Sequence, residues 1–323
     1  MRAIQISETG GPDVLKLAEL PTPEPGPGEV VVEVGAAGVN YIDTYHRGGG
    51  YPMALPFVPG LEGCGRVVAV GDGVVDLAVG DRVAWSDALG SYAEAVAVPA
   101  EKAVPVPENV SDELAVGALL QGMTAWFLVN TTYPVQPGDD VLVHAAAGGV
   151  GLLLTQLATA RGARVIATVS SAEKEQLAKA AGAVDVLRYS DDLAGQVRDL
   201  TGGVGVAVAY DGVGASTFDA SMDSLRRRGM LVLFGAASGP VPPVDPQRLN
   251  AGGSLYLTRP TLFHHVHSRE ELLATSGAVF SAVGDGTLDV RIGHRYPLTA
   301  ARAAHEDLHA RRTTGKLVLT PKN

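Results

Sequence analysis

The apolar residues of this chain fall into two textures. Up to about residue 120 they come in short runs, EVVVEV at 29–34, GRVVAV at 65–70 and RVAW at 82–85, separated by Pro and Gly clusters such as PTPEPGPG at 21–28. Runs of that length bounded by turn residues predict the strands of an all-β or α+β unit. At Ser111 the texture changes. Ser111 as N-cap, two acidic residues behind it and an apolar stretch reaching Phe127 predict a helix. After Pro137-Gly138-Asp139 the buried-strand pattern VLVHA leads into a glycine turn and an apolar helix ending near Ala160. RVIATV, the helical SAEKEQLAKAAG, DVLRY, VAVAYD and MLVLFG continue the alternation, which is the rhythm of a parallel α/β sheet. Past Leu262 the rhythm fades into a helix near 268–283, a β piece at 294–296, a helix from Thr299 and a last strand, KLVLT. This tail is read as returning to complete the first unit.

Composition narrows the class. A chain of 323 residues exceeds what one core usually organises, so two domains or one large α/β unit are expected, and 46% hydrophobic residues can bury a large core. The 25 Lys+Arg against 35 Asp+Glu give a net charge of −10, which argues against nucleic acid as the main ligand. A single cysteine, Cys64, excludes an internal disulfide and any multi-cysteine metal site, and the cytosol is the expected compartment. The most apolar stretch, Val141 to Ala158, carries His144, three glycines, Thr155 and Gln156, so no membrane anchor is expected.

The glycine turn at 145–151, AAAGGVG, lies between a strand and a helix. A dinucleotide fingerprint needs small residues where the chain turns, where backbone approaches the pyrophosphate and where helix packs on strand. Ala146, Gly148 and Gly151 fill those places. An NAD site usually ends the second strand on a carboxylate for the ribose hydroxyls; here Val169, Ser170 and Ser171 occupy that zone. Two hydroxyls, Lys174 and Tyr189 suit a 2′-phosphate instead, so the cofactor is expected to be NADPH. On a solvated helix face Lys174 would instead pair with Glu173 or Glu175.

GVNYIDTY at 38–45, PGLEGCGRVVAVG at 59–71, the AAAGGVG turn, LRRRGMLVLFG at 225–235, SLYLTRP at 254–260 and the terminal TTGKLVL together resemble a medium-chain dehydrogenase/reductase. The nearest likeness is to the zinc-free quinone oxidoreductase group related to zeta-crystallin. The resemblance runs nearly end to end. It implies an α/β chain made of a GroES-like β-rich catalytic domain, 1–122 with 263–323, and a Rossmann doubly wound parallel-sheet domain, 123–262, with the cofactor in the cleft between them. Where zinc alcohol dehydrogenases place a cysteine ligand this chain has Asn40, and where they have Gly-His-Glu it has Gly60-Leu61-Glu62, so no metal is expected.

Without a metal, hydride delivered to a simple ketone leaves a localised alkoxide, whereas a quinone or conjugated enone spreads the charge through its own π system. The function implied is NADPH-dependent quinone reduction. Reduction of the C=C bond of an α,β-unsaturated ketone or thioester uses the same site and stays open, as does a non-catalytic NADPH-binding role, crystallin-like or RNA-binding. Asn40 would donate to the substrate oxygen or hold the nicotinamide ribose, and Tyr45 and Tyr51 would line the ring pocket. Glu62 is read as structural, paired with an arginine. By the resemblance the cofactor also meets Thr124, Phe127, Ala147, Gly148, Gly149, Val150, Ser170, Ser171, Lys174 and Tyr189. Further contacts are Gly212, Phe234, Gly235, Ala236, Ala237, Pro260, Thr261, Leu262 and Arg311.

Three other signals have bland readings. His264, His265 and His267 lack metal-ligand spacing and are read as a loop facing solvent or the cleft. Arg226-Arg227-Arg228 is read as a solvated helix end, and Cys64 as a small buried hydrophobe. The segment 253–258, GSLYLT, is read as a strand at the edge of the Rossmann sheet, which invites pairing with its copy in a homodimer.

Overall fold

The computed structural model describes residues 1–321. The chain divides into two compact units, Thr124–His265 and the remainder, Met1–Met123 joined by the segment from Val266 onward.

The central unit holds a six-stranded, all-parallel sheet. Its strands in chain order are Asp140–Val143, Arg164–Val169, Asp185–Arg188, Val206–Asp211, Leu225–Leu233 and Tyr256–Thr258. Numbered from the first, they lie side by side as 3-2-1-4-5-6. That is the Rossmann order, with the order in which successive strands are added reversing between strands 1 and 4, the place where such sheets bind ligands beyond their carboxyl ends. The inner strands Asp140–Val143, Arg164–Val169 and Val206–Asp211 are mostly apolar and buried because helices cover the sheet. Every residue of Val206–Asp211 is buried, and Leu142, Ile166, Val206, Leu231 and Phe218 share one core.

Two expectations for this unit need correction. The arginine run is not a helix end: the preceding helix stops at Asp223, and residues 226–228 are exposed inside the Leu225–Leu233 strand. The ladder with its neighbour steps from Val206↔Leu225 to Val208↔Met230, so the arginines bulge outward, Arg228 at φ 59. The edge strand is also shorter than 253–258. Gly253 and Ser254 have φ 103 and 58, a left-handed turn that delays pairing until Tyr256.

The second unit is the GroES-like one. Its seven-stranded sheet runs in the order Ile292–Pro297, Lys316–Thr320, Glu29–Val39, Glu62–Val70, Arg82–Trp85 and Val104–Pro105, with Ala95–Pro99 also on Glu29–Val39. The last strand pairs antiparallel with Glu29–Val39, Leu317 opposite Val39, so the tail does complete the first unit. Alternation along Glu29–Val39 sends Val30, Val32 and Val34 into a core with Trp85, Tyr92 and Leu319. Cys64 lies within the Glu62–Val70 strand with no exposed surface, and burial pushes its thiol well up.

The helix that starts after Ser111 runs Asp112–Phe127, with the Ser111 hydroxyl accepting the Leu114 N–H at 3.2 Å, and continues as a π-helical turn over Leu128–Thr132. Among the described residues Asp112–Thr132 is the one helix long and apolar enough to cross a membrane, and most of its apolar window is buried inside the protein. Ser268 and Glu271 form a capping box on Arg269–Gly284.

Candidate functional site

The glycine turn follows the first Rossmann strand. Ala145 takes the left-handed conformation, φ 49, and Ala146 N–H donates to the Thr168 carbonyl at 3.1 Å. The residue that turns the chain is thus Ala145, one place before the expected Ala146, which is fully buried beneath the helix. Gly148 is the extended N-cap of Gly149–Ala160. A Cβ on Gly151 would stand 2.7 Å from the Ala146 Cα and press on the Ala145 carbonyl, so the helix packs onto the turn only because that side chain is missing. The N–H groups of Gly149, Val150 and Gly151 are first-turn donors with no intrahelical acceptor, and the helix dipole adds positive potential there.

The flanks of the turn come from the next two strand ends. Lys174 Nζ donates to Ser170 Oγ at 3.3 Å on the exposed side of the second strand's end. Ser171 has a different task, capping the following helix by accepting the Lys174 N–H at 3.3 Å. The Glu175 carboxylate is engaged by Lys179 and Arg188. The Tyr189 hydroxyl accepts the Ala145 N–H at 2.9 Å while its ring stacks on His144.

The remaining Rossmann positions assemble at the ends of the fourth and fifth strands. A Cβ on Gly212 would meet the Phe234 ring at 2.9 Å and one on Gly235 would meet the Gly212 Cα at 2.8 Å. A side chain at 212 would need the Phe234 ring to shift, and Ala237 N–H closes the corner on the Gly212 carbonyl at 3.2 Å. Ala147 is buried, Ala236 and Thr124 half-buried, and Pro260 and Thr261 lead into a 3-10 turn over Leu262–His264. Phe127 stacks face to face on His265, centroids 4.2 Å apart, and His265 Nδ1 lies 3.0 Å from Thr131 Oγ1. Within the histidine cluster, then, His265 is held in a ring stack while His264 and His267 are exposed. Among the described residues no group of three His, Cys, Asp or Glu converges as a metal-ligand set.

Sequence reasoning missed a buried line beneath the turn. Thr168 Oγ1 is 2.9 Å from His144 Nδ1, His144 Nε2 is 2.9 Å from Ser221 Oγ, and Ser221 donates to Asp211 Oδ2 at 2.7 Å. Asp211 also accepts from the Val213 and Gly214 backbone and from Thr217. Burial holds the His144 pKa below its ordinary value, so the imidazole is neutral. A histidine closing the run VLVH was the visible signal.

In the GroES-like unit Asn40 is 5% exposed and precedes the helix Tyr41–Arg47. Its Nδ2 donates to Glu62 Oε2 at 2.8 Å, and its Oδ1 accepts from Lys316 Nζ at 2.8 Å and Gln121 Nε2 at 3.3 Å. Glu62 pairs with Lys316, not with the expected arginine. Glu62 also accepts the Leu120 N–H at 2.8 Å. Tyr45 and Tyr51 meet edge to face with centroids 5.7 Å apart, and Tyr51 is 47% exposed. Arg311 lies after the helix Ala301–His309, exposed, at φ 55.

A second missed line carries the backbone of Asn40. Its N–H donates to Asp43 Oδ2 at 2.8 Å, Tyr92 donates to the same oxygen at 3.0 Å, His305 Nε2 lies 3.1 Å from Tyr92, and Arg47 Nη1 lies 2.8 Å from His305 Nδ1. Burial pushes Asp43 up to about 6 and, with the Arg47 and His309 charges, pulls His305 down to about 3.

Each unit matches a known protein family. Residues 26–108 match the alcohol dehydrogenase GroES-like domain and residues 149–272 the zinc-binding dehydrogenase family. The chain is 45% identical to a quinone oxidoreductase of Salmonella typhimurium over 98% of its length and 99% of the relative's. It is 42% identical to a 2-haloacrylate reductase of a Burkholderia species, over 99% of each. A mycobacterial protein solved with NADPH superposes with a TM-score of 0.97 at 56% identity, covering 99% of this chain and 100% of that one. The Escherichia coli quinone oxidoreductase, also solved with NADPH, gives 0.97 at 42% identity and the same coverage. Zinc does not fit the residues present: Asn40 offers an amide, Leu61 no donor at all, and the Glu62 carboxylate already holds the Lys316 ammonium.

Proposed function

The chain belongs to the quinone oxidoreductase group of the medium-chain dehydrogenases/reductases, and from that premise we propose that it reduces quinones with NADPH and without a metal ion. The observation that carries the reading is the ammonium of Lys316 set against Asn40 and Glu62. The Lys316 and Glu62 charges neutralise each other, so this place offers an amide and hydrogen bonds and no Lewis acid, which suffices for an acceptor that delocalises its own incoming charge.

NADPH fits the Rossmann unit. The Gly149–Gly151 N–H groups would take the pyrophosphate, Ser170 and Lys174 the 2′-phosphate, and Tyr189 fixes the turn through Ala145. When bound, the cofactor supplies a hydride from its dihydronicotinamide. Gly212 and Gly235 leave room for close backbone packing at the strand ends, and Phe127 is held in its stack by His265. Tyr45 and Tyr51 offer an aromatic edge-to-face pair for a planar acceptor, the exposed Tyr51 hydroxyl supplying a hydrogen bond as the acceptor becomes its hydroquinone with a proton from solvent.

A second reading, reduction of an activated C=C bond, is favoured by the similarity to the 2-haloacrylate reductase. NADPH and NADH oxidation measured in parallel with 1,2-naphthoquinone, 9,10-phenanthrenequinone, crotonyl-CoA and 2-chloroacrylate, with and without chelator, separates the readings. Quinone turnover that prefers NADPH and survives chelation is expected. Turnover confined to the alkenes would install the second reading, a chelator-sensitive rate would overturn both, and NADPH binding without turnover would leave a non-catalytic role.

A further inference from the structure

Lys316, Gly38 and Glu62 lie on three adjacent strands, with Gly38 paired to Glu62 on one side and to Val318, two residues beyond Lys316, on the other. Lys316 opens the last strand, one residue before the Leu317↔Val39 pair. Lys316 and Glu62 are 1% and 0% exposed, and the two close on each other as a buried ion pair. Room for them is made by the glycine, since a Cβ on Gly38 would meet the Lys316 Cε at 2.8 Å and press on the Glu62 carboxylate. A buried pair of this kind contributes little net stability, and apolar side chains of similar volume often replace it without loss. Its use lies elsewhere.

Both partners hold the same third residue. The terminal torsion of an asparagine is broad and its oxygen and nitrogen are nearly isosteric, so packing alone does not choose between the two flipped states of Asn40. An ammonium can only donate and a carboxylate can only accept. With Lys316 on one side and Glu62 on the other, the carbonyl of Asn40 must face the lysine and its NH2 the glutamate, as observed. Gln121 adds a second donor to the same carbonyl.

We infer that Lys316 and Glu62 are a positioning dyad, which fixes the side-chain amide of Asn40 in one orientation and so sets the rate of the reaction. The effect on rate rests on the acceptor-reducing reading above, and the orientation of Asn40 on geometry alone. The charged or titratable groups around the dyad are Asp43 and Tyr92, which lie on the line that holds the Asn40 backbone.

The test uses the full-length protein and compares wild type, Asn40→Ala, Lys316→Met, Glu62→Leu/Lys316→Met and the polar double Glu62→Gln/Lys316→Gln. Melting temperature, kcat and KM for NADPH and 1,2-naphthoquinone are measured, together with the side-chain NH2 resonances of Asn40 in the 1H–15N spectrum of the cofactor-free protein, assigned by their loss in Asn40→Ala. Lys316→Met is expected to lower the melting temperature, because Glu62 is left buried and unpaired. At least one double variant recovers it to within about 3 °C, while its kcat stays roughly tenfold or more below wild type and its Asn40 resonances move. A double variant that recovers both melting temperature and kcat would overturn the proposal, as would unmoved Asn40 resonances or the failure of both doubles to fold. If wild type reduces no acceptor, the acceptor reading falls, and the resonances still decide whether the dyad orients Asn40.

Discussion

His144 donates from Nε2 to Ser221 Oγ across 2.9 Å, joining the end of the first Rossmann strand to the helix Phe218–Asp223. The direction follows from the partners. The single Ser221 proton goes to Asp211 Oδ2 or to the Thr217 carbonyl, both pure acceptors, so Ser221 must accept from the ring, and Nδ1 is left to accept from Thr168. Replacing His144 by Ala removes both bonds and leaves a hole under the turn, with an expected loss of about 2–4 kcal/mol. Because the next residue, Ala145, sets the turn, NADPH affinity should weaken as well. Denaturant unfolding and titration of NADPH fluorescence check the two effects separately.

The Ser170–Lys174 contact makes a prediction about cofactor choice. Lys174→Ala should weaken NADPH by about 1–3 kcal/mol, the range of a charge-assisted hydrogen bond, and leave NADH nearly unchanged. The ratio of kcat/KM for the two nucleotides is the measurement. An equal loss with both would mean that Lys174 does not meet the 2′-phosphate.

Gly151 tests the packing of the helix on the turn. The atoms that an added methyl meets there belong to the backbone of Ala145 and Ala146, which cannot rotate away as a side chain would. Gly151→Ala should lower stability by about 1–3 kcal/mol and displace the first-turn N–H groups, so NADPH binding falls with it. Calorimetry with and without NADPH reads both, and the NADPH-induced rise in melting temperature should shrink.

Among the described residues the Tyr256–Thr258 strand ends the parallel sheet with one side unpaired, and Tyr256 is half exposed. We propose that two copies pair along this edge as a two-fold dimer. Sedimentation should show a dimer for wild type and a shift toward monomer for Tyr256→Lys, which places a charge on the edge. A monomeric wild type would remove the proposal.

What the sequence disclosed and what it hid separate by how far apart the partners lie along the chain. The first four Rossmann strands and the Ser111 and Ser268 helix starts are local patterns of apolar spacing and capping, and they appear where the pattern puts them. The glycine turn's left-handed residue, one place earlier than expected, depends on the Tyr189 hydroxyl 44 residues away. The pairing of Asn40 with Lys316, 276 residues apart, follows from strand register across the sheet, and that of Tyr92 with His305, 213 apart, from a helix residue meeting a loop residue; neither has a local signature. Lys316 was visible only as one polar residue opening an apolar strand. The arginine run was misplaced because a four-residue bulge in a strand and a solvated helix end present the same exposed charges.

Asp43 and His305 carry the last prediction, on pH. His305 stays neutral in the fold down to about 3, while its unfolded value is 6.5; between those limits the unfolded chain binds the extra proton, so this group removes stability as pH falls. Asp43 acts in the opposite sense. Burial lifts it from 3.8 to about 6, the folded protein takes up its proton first, and this group adds stability as pH falls from about 6 to 3.8. Linked through Tyr92, the two offset each other across that window. Separating them exposes each slope. Relative to wild type, Asp43→Asn should lose stability progressively from pH 6 to pH 4, and His305→Gln should gain it over the same range. Denaturant midpoints at pH 6.5, 5 and 4 measure the differences, and parallel curves for all three proteins would show that neither group titrates in the fold as its burial requires.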